Sequence, residues 1–565
     1  MIDLTKLHLE LFAKGRTILF CGAGISANSG IPNVATFLTY LLRQMGAKTK
    51  DISQFLNSGY PFEATMDNLS ERFDIKALLN VFKVKNPNLN HDFIAKLAVN
   101  GLLEIIITTN FDTNIEIALK NNGLKQNQDF KVFSDFNDFK ESDLKHNLVI
   151  LKLHGTIENL PTILTNLKRI SKRQNVLLME NVLRIVLANK KNQDILFWGY
   201  SFSDHYDIRP ALLNMPRTTK QLFNLKYISK NIPVAIQDVS KLDPFKKFSR
   251  ATKMNGNLDK IIGDLYKAKG YNRPPKGKSN PIWKTYIKSW ITKETGPGFK
   301  DKKNFIGTLF VAAGFIELGR AYAKGNKRNT NNSKNGRILR MEIAGILGKS
   351  YLKDPNNRNV GLATKHFDDA YSIAKELKLD SYINLYSGNL GSCYLMADEF
   401  DKAEQLYKDV IKFYEKKLKK DPDSSEFQDR ITGYSIMLAH TLTKKGDCKS
   451  SIDIYKKTLI LCDDFGLPSN KELCLAGYGI AHLYNKNYVA GLKCFTQAYP
   501  LAIQNGSIDR IKSMFLMVCS WTREVHGKAR AAKFYKSEIK YIKGKTAFNK
   551  PLSNIPTKLL GSYKG

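Results

Sequence analysis

The chain has 565 residues, of which 43% are hydrophobic, and its 88 Lys and Arg residues against 52 Asp and Glu give a formal net charge of +36. This length exceeds what one hydrophobic core supports, so we expect two to four domains. The first 20 residues carry both acidic and basic side chains, and no apolar run reaches the ~18 residues of a membrane helix. We therefore expect neither a secretory signal nor a membrane protein. The seven irregularly spaced cysteines indicate reduced thiols and a cytoplasmic location.

A glycine-rich segment follows the first apolar run of the chain, residues 17–21. Its residues are Gly22, Ala23, Gly24, Ile25 and Ser26. A strand, a glycine turn and a helix in this order present backbone N–H groups to a phosphate, and Gly24 would let the backbone approach a pyrophosphate. The same turn also serves simply to connect a strand to a helix. A dinucleotide dehydrogenase needs an acidic residue about 20 positions on, and none occurs between Glu10 and Asp51, which disfavours hydride transfer.

Three later apolar runs, residues 105–107, 149–153 and 195–198, also end in polar residues or glycine. The residues that follow them are Thr109, Asn110, Phe111, Asp112, His154, Gly199, Ser201 and Asp204. Ligands of open parallel sheets bind beyond the carboxyl ends of the strands, so we expect these residues to meet at one crevice. Each also has a plainer interpretation, as a helix cap, a core histidine or a turn. The four segments together favour a ligand site.

These segments resemble, in sequence and order, the motifs of the sirtuin superfamily. Its members have glycine-alanine-glycine-isoleucine-serine, glycine-isoleucine-proline (here Gly30, Ile31 and Pro32), threonine-X-asparagine-X-aspartate, histidine-glycine and a late glycine-X-serine. The resemblance covers residues 10–240 and implies an α/β, Rossmann-like domain with a parallel sheet. Residues 108–112 and 199–204 are similar to the corresponding motifs of bacterial defence-associated sirtuins, which cleave NAD.

The chain departs from the deacetylase sirtuins at two places. Residues 22–392 contain no cysteine, whereas those enzymes carry a zinc module with paired Cys-X-X-Cys ligands, so we predict no zinc. Where the family often has Asp-Phe-Arg after the proline, this chain has Asn33-Val34-Ala35. Without the zinc module much of the platform for an acyl-lysine peptide is lost, and free NAD becomes the favoured sole substrate.

The resemblance also implies a role for each site residue. Asn110 would hold the ribose hydroxyls or the attacking water, His154 would act as general base, and Asp112 would orient the nicotinamide amide. The other predicted NAD-binding residues are Gly22, Ala23, Gly24, Ile25, Ser26, Gly30, Ile31, Pro32, Thr109, Phe111, Gly199, Ser201 and Asp204. By the resemblance, Gly22, Ala23, Gly24 and Ser26 would contact the pyrophosphate, and Ser201 and Asp204 would lie near the adenosine half. The products would be nicotinamide and ADP-ribose, or a cyclised form of it.

Residues 241–340 are strongly basic and contribute +18, half of the net charge. A patch of this kind attracts nucleic acid. It is equally typical of a solvated linker in a lysine-rich protein, and no zinc finger or aromatic stacking motif accompanies it. We predict that this segment is mainly linker and packing surface and that nucleic acid is not its favoured partner.

The carboxy-terminal part repeats a small residue, an aromatic four positions later and a third residue three positions after that. The five instances are Ala363/Phe367/Ala370, Ala403/Tyr407/Val410, Ser451/Tyr455/Thr458, Gly491/Phe495/Ala498 and Ala531/Tyr535/Glu538. Leu-Gly-X-X-Tyr at residues 347–351 and 390–394 precedes the first two. The pattern resembles degenerate tetratricopeptide repeats, which stack helix pairs and bind partners on their surface.

We therefore predict a catalytic domain over residues 1–245, a basic connector over 246–340, helical repeats over 341–545 and a tail over 546–565. The favoured function is an NAD hydrolase triggered through the repeats in bacterial antiphage defence. A protein that binds the repeats is the expected trigger, and the resemblance implies a homo-oligomer. Two alternatives stay open: an NAD-dependent protein deacylase or ADP-ribosyltransferase, and a non-catalytic scaffold that binds NAD or ADP-ribose.

Overall fold

The computed structural model divides the chain into two compact units. Residues Met1–Ile170 and Gln174–Thr295 form the first, and Gly296–Gly565 belong to the second. The structure describes residues 4–13, 15, 17–58, 60, 62–137, 139–145, 147–163, 173–189, 195–200, 208, 211, 222–226, 235–238, 251–273, 282–326, 330–354, 356–505 and 508–533.

The described part of the first unit contains an eight-stranded sheet. Its strands are β1 (Thr17–Cys21), β2 (Leu103–Thr108), β3 (Lys131–Phe133), β4 (Val149–Lys152), β5 (Ile195–Trp198), β6 (Leu222–Lys226), β7 (Ala235–Asp238) and β8 (Ala251–Asn255). They lie in the order β3-β4-β2-β1-β5-β6-β8-β7. All neighbouring pairs are parallel except β7 with β8, at one edge of the sheet. The predicted parallel-sheet α/β fold is thus confirmed.

The described part of residues 4–294 also contains α-helices, several of which pack on the sheet. They are α1 (Leu4–Ala13), α2 (Val34–Gln44), α3 (Thr49–Asn57), α4 (Phe62–Ser70), α5 (Leu89–Val99), α6 (Asn114–Asn121), α7 (Arg173–Asn189), α8 (Leu258–Ala268) and α9 (Ile282–Glu294). Side chains of β1 alternate between two cores. Leu19 and Cys21 pack with residues of α1, α5 and α8, while Ile18 and Phe20 pack with residues of α7. The sheet is therefore covered on both faces, which explains why its central strands are apolar runs.

The first unit extends beyond residue 245, the predicted boundary between the catalytic domain and the basic connector. Strand β8 pairs with β6, and α8 packs against α1 and α5. In α9, Trp290 donates its indole N–H to the Asp74 carbonyl at 2.7 Å, and Trp283 packs edge-to-face on Tyr40. Lysines of α9, Lys284 among them, lie on its exposed face. The described part of residues 251–295 is therefore integral to the first unit, although its charge is typical of a linker.

The second unit is helical throughout its described part. Its helices are α10 (Lys302–Ala312), α11 (Ile316–Gly325), α12 (Lys334–Lys353), α13 (Val360–Glu376), α14 (Asp380–Met396), α15 (Phe400–Leu418), α16 (Ser425–Lys445), α17 (Cys448–Asp464), α18 (Pro468–Tyr484), α19 (Tyr488–Asn505) and α20 (Ile508–His526). Each helix from α12 to α20 packs against the next. None of the helices in the described part of the chain has both the length and the apolar character of a membrane span.

The predicted repeat triads lie in the second helix of each pair. The first four triads are buried throughout. Each aromatic ring presses on a glycine: a Cβ at Gly348 would lie 2.7 Å from Phe367, one at Gly391 3.0 Å from Tyr407, one at Gly477 2.3 Å from Tyr455, and one at Gly479 2.8 Å from Phe495. The aromatic of one helix thus fills a groove that glycine opens on a neighbour. Ala531 of the fifth triad is buried, whereas Tyr535 and Glu538 lie outside the described residues, as does the tail at 546–565.

Candidate functional site at the ends of four strands

The four segments singled out in the sequence follow four strands that are neighbours in the sheet. In the order β4-β2-β1-β5, these strands lead to His154, Asn110, Gly22 and Gly199. Because the four strands are parallel, their carboxyl ends lie at the same edge. Backbone hydrogen bonds connect the adjacent ends: the Thr109 N–H donates to the Cys21 carbonyl at 3.2 Å. The predicted convergence is therefore present in the structure.

The glycines of the first segment face the backbone that follows β5. The Gly22 and Gly24 N–H groups donate to the carbonyls of Trp198 and Gly199, both at 2.9 Å. A Cβ at Gly22 would lie 2.5 Å from the Gly199 oxygen, and one at Gly24 would lie 2.6 Å from the Gly199 Cα. The sequence predicts that Gly24 lets the backbone approach a pyrophosphate. In the structure both glycines are required for the contact between two loops, and their N–H groups are used within the protein.

Gly199 is the third member of this contact, and its replacement tests it. Its φ of +64° favours glycine, and a Cβ there would lie 2.5 Å from the Ile25 nitrogen. Gly101 has nearly the same φ, +67°, with open space around its Cα. Gly101→Ala is therefore expected to cost about 1 kcal/mol of backbone strain, and Gly199→Ala at least about 3 kcal/mol, because backbone atoms must also shift. Chemical denaturation of the two variants measures the difference, and equal losses would contradict the loop contact.

Ser26 is the centre of a buried hydrogen-bond network at this edge. Its hydroxyl donates to Asp112 Oδ2 at 3.0 Å and accepts from the Asn110 amide nitrogen at 3.2 Å. The same amide nitrogen lies 3.2 Å from the Gly22 carbonyl, and Asp112 Oδ1 accepts from the Asn114 N–H at 3.0 Å. The network joins three predicted site residues, Ser26, Asn110 and Asp112, into one rigid group.

His91 completes the network and was not predicted. Its Nδ1 accepts from the Asn88 N–H at 3.1 Å, within a capping box at the start of α5. The proton of the neutral ring is therefore on Nε2, which donates to the Ser26 hydroxyl at 3.1 Å. Burial lowers the pKa of His91 to about 4, which keeps the ring neutral near pH 7. The signal in the sequence is the pair Asn88 and His91, an N-cap residue with a polar partner three positions on.

A buried donor next to Asp112 has no acceptor among the described residues. Asn114 is fully buried, its Oδ1 accepts from the Asn86 N–H at 2.9 Å, and its Nδ2 makes no hydrogen bond with any described residue. Buried polar groups are nearly always satisfied, and those that are not often mark the place of a bound molecule or ion. Asn114 therefore holds a buried amide donor two positions after Asp112 in the sequence.

His154 lies on the loop after β4, close to the loop that carries Asn110. Its ring is buried and lies 6.4 Å, centroid to centroid, from the ring of Phe111. Gly155, at a φ of +84°, allows the chain to turn directly behind it. The Leu153 N–H donates to the Thr108 carbonyl at 2.8 Å, and the Ile157 N–H donates to the Phe111 carbonyl at 2.9 Å. The two loops are thus held together on both sides of His154.

Lys152 makes a third connection between the same two loops and was also not predicted. Its side chain is 1% exposed, and its Nζ lies 2.9 Å from Glu116 Oε1 in an ion pair. The ammonium also donates to the Asp112 carbonyl. In the sequence, the signal is a lysine within the apolar run 149–153, where a charge needs a partner.

The remaining predicted residues lie at or near this edge, or outside the described part of the chain. Gly30 has a φ of +77°, and Ile31 and Pro32 after it are buried. Asn33, at the position where the family often has aspartate, caps α2 by accepting from the Thr36 N–H at 2.9 Å. Phe111 packs edge-to-face on Phe82. The predicted contacts of Ser201 and Asp204 lie outside the described residues.

Possible metal ligands do not cluster in the described part of the chain. Among those residues, no group of His, Cys, Asp and Glu side chains could hold a metal ion. Cys21, the single cysteine before residue 393, is buried in β1, and burial raises the pKa of its thiol. An isolated thiol of this kind does not form a zinc site, which takes four ligands.

A known protein family matches the part of the chain that carries this site. Residues 104–221 match the family described as the SIR2-like domain. The chain contains a SIR2-like domain. The match spans β2, β4 and β5 and so includes Asn110, His154 and Gly199, while the glycine segment at 22–26 precedes it. No curated protein matches the chain.

Several solved structures resemble the chain, and two of them are described as having tetratricopeptide or tetratricopeptide-like repeats. A Rap protein complexed with competence and sporulation factor has 12% identity over 47% of this chain and 71% of that one, with a TM-score of 0.36. A kinesin light chain with tetratricopeptide-like repeats from Podosopora anserina covers 36% of this chain and 94% of its own at 13% identity, with a TM-score of 0.29. A signal transduction ATPase with numerous domains from Pyrococcus horikoshii, which has a tetratricopeptide repeat sensor, shows 12% identity over 96% and 83%, with a TM-score of 0.29.

These identities and TM-scores are too low for any function to follow from them. Within the chain, the SIR2-like domain is followed by helix pairs of the tetratricopeptide-like kind.

Proposed function

We propose that this protein is an NAD hydrolase that cleaves NAD to nicotinamide and ADP-ribose. The observation that carries the proposal is the joining of Asn110, Asp112 and His154 at the ends of two adjacent strands, through hydrogen bonds between their loops. The match to the SIR2-like domain supports the use of NAD. A preorganised set of an amide, a carboxylate and an imidazole suits a reaction that needs positioning more than acid catalysis.

The reaction breaks the bond between the ribose C1′ and the nicotinamide nitrogen. The pyridinium takes the bonding electron pair and leaves as neutral nicotinamide, so it needs little protonation. Water adds to C1′, and its proton passes to His154, because imidazole is the side chain best suited to general-base catalysis at neutral pH. Asn110 would hold the ribose hydroxyls or this water through its Oδ1, since its Nδ2 already donates to Gly22 and Ser26.

Asp112 and Asn114 would hold the nicotinamide amide. A primary amide offers two donors and one acceptor. The Asp112 carboxylate accepts from the donors, and the Asn114 Nδ2, which has no acceptor among the described residues, would donate to the amide oxygen. We assign the turn at residues 22–26 to the pyrophosphate by resemblance. Because the Gly22 and Gly24 N–H groups donate within the protein, other donors of the turn must contact the phosphates.

The helical repeats would restrain this activity until a trigger binds. Unrestrained hydrolysis of NAD would kill the cell that makes the enzyme, so control is required. Tetratricopeptide-like helix pairs present a long surface to a protein partner. We therefore propose that a protein trigger binds the repeats, that the response serves antiphage defence by depleting NAD, and that the enzyme acts in the cytoplasm as a homo-oligomer.

The alternatives differ in their products. A deacylase transfers the acyl group of a lysine to ADP-ribose, and an ADP-ribosyltransferase leaves the ADP-ribose on a protein. The absence of cysteine from residues 22–392 disfavours the deacylase, because those enzymes use the zinc module for peptide binding. A scaffold that only binds NAD would not require both Asn110 and His154.

The proposal is tested by incubating the purified full-length protein with NAD, alone and with lysate of phage-infected cells. Chromatography is expected to detect free nicotinamide together with ADP-ribose, or its cyclised form, without any acylated peptide. Nicotinamide that appears only with acetyl-lysine peptide would establish the deacylase. No release under any of these conditions, despite measurable NAD binding, would establish the scaffold.

A further inference from the structure

We propose that Lys152 is a positioning residue of the hydrolase, which holds the Asn110 loop and the His154 loop in register through the Asp112 carbonyl. This inference rests on the proposed function and adds a residue to it. Lys152 is the last residue of β4, two positions before His154. It is nearly completely buried, at 1% exposure, in a strand whose other residues are all apolar.

A buried lysine needs strong compensation, because an unpaired charge in the interior is costly. Lys152 has two partners on the segment that follows β2. Its Nζ lies 2.9 Å from the carboxylate of Glu116, in the first turn of α6, and it donates to the Asp112 carbonyl. The ion pair satisfies the charge, while the bond to the carbonyl fixes the backbone of a candidate site residue.

The position of this bond indicates what it controls. The segment from Thr108 to Asp112 is bonded to the β4 loop through three of its carbonyls: Thr108 accepts from the Leu153 N–H, Phe111 from the Ile157 N–H, and Asp112 from Lys152. Asn110 lies between these attachments. Two of the three are backbone bonds, which any side chain would preserve, and the third depends on Lys152 alone.

The bond to Asp112 also acts on the opposite side of the loop from the Ser26 network. Ser26 holds the Asp112 carboxylate and the Asn110 amide from the β1 side, while Lys152 holds the Asp112 carbonyl from the β4 side. Without Lys152 the loop keeps its contacts to β1 but loses one of its anchors to His154. Displacements of about 1 Å at a catalytic group lower rates by as much as 10²-fold.

Two single variants separate positioning from a purely structural ion pair. Lys152→Met removes the bond to the Asp112 carbonyl, whereas Glu116→Gln removes only the charge of the partner and leaves Lys152 in contact with that carbonyl. We expect Lys152→Met to lower kcat for nicotinamide release at least tenfold with KM changed less than threefold. Glu116→Gln is expected to keep kcat within threefold of the original protein, although both variants melt at lower temperature.

A double variant, Lys152→Met with Glu116→Leu, guards against misfolding of Lys152→Met. It leaves no unpaired charge in the interior, and replacing a buried pair by apolar residues is often neutral for stability. We expect it to recover the melting temperature but not kcat. Equal losses of kcat in Lys152→Met and Glu116→Gln, or full kcat in the double variant, would overturn the proposal and leave Lys152 a structural residue.

Hydrogen exchange of the full-length protein tests the positioning role of Lys152 independently of whether the protein hydrolyses NAD. In Lys152→Met and in the double variant, the amides of residues 109–113 are expected to exchange at least tenfold faster than in the original protein, while those in Glu116→Gln stay unchanged. If the original protein releases no nicotinamide, the proposed hydrolase fails and the exchange rates alone decide whether Lys152 holds the loop. Unchanged exchange in the double variant would overturn the positioning role whatever the activity.

Discussion

Alanine in place of His154 or Asn110 is expected to lower the release of nicotinamide from NAD by about 10²-fold or more. His154→Ala removes the proposed base, and general-base assistance contributes about 10²–10⁴-fold. Asn110→Ala removes the amide that orients the ribose or the water, a contribution of similar size. Steady-state rates on the purified full-length protein, under the condition that activates it, measure both losses.

Asn110→Ala is also expected to lower the stability of the folded protein. The Asn110 amide nitrogen donates to Gly22 and Ser26, so Asn110→Ala leaves two buried acceptors with fewer donors and is expected to cost about 1–3 kcal/mol. Asn100→Ala, at an exposed asparagine of the same unit, is the matched control and should leave the rate within about twofold of the original. A folded His154→Ala protein that retains full cleavage would show that His154 is not the base.

The sequence was sufficient to predict the strands that carry this site. Parallel strands covered on both faces are continuous apolar runs, and the runs at residues 17–21, 105–107, 149–153 and 195–198 coincide with β1, β2, β4 and β5. The polar residues after each run could therefore be placed at one edge of the sheet from the sequence alone. An apolar run alone does not indicate which strands lie beside it in the sheet. That order depends on the crossover connections and on the packing of helices on both faces.

The contacts of His91 and of Lys152 next to the site could not be predicted from the sequence. His91 contacts Ser26, which lies 65 positions earlier, and Lys152 pairs with Glu116, which lies 36 positions earlier. Local patterns extend over a few residues, whereas these contacts join segments that are distant in the sequence and form only in the folded chain. The lysine within an apolar run was a signal that a partner must exist, but its identity is a property of the folded chain.

Net charge was a poor guide to the end of the first unit. Residues 251–295 were predicted as part of a basic connector because lysine is frequent there. The structure separates the two faces of α9: Trp283, Ile287 and Trp290 are buried, and Lys284 and Lys288 are exposed. An amphipathic helix can carry many lysines on its exposed face, so the spacing of its aromatic residues was the better signal.

Replacement of Phe495 by alanine is expected to lower the free energy of unfolding of the repeats by about 3–5 kcal/mol. The ring is fully buried, and it fills the groove over Gly479, where a Cβ would lie 2.8 Å from it. Its loss removes apolar burial and leaves a cavity that rigid helices cannot close completely. Since each helix pair contacts only its neighbours, the damage is expected to spread along the repeats and to alter triggering.

Val489→Ala is the control for Phe495→Ala, because it lies in the same helix, α19, and is 67% exposed. It should change the free energy of unfolding by no more than about 0.5 kcal/mol. Denaturation of the full-length variants by urea, followed by circular dichroism, measures both values, and an equal response would show that the groove contributes little.

NAD cleavage without the trigger distinguishes damage to the catalytic unit from damage to the repeats. A catalytic variant loses this activity in a folded protein, whereas Phe495→Ala is expected either to cleave NAD without the trigger or to ignore the trigger. A Phe495→Ala protein that is destabilised yet responds normally to the trigger would place the sensing surface away from α18 and α19.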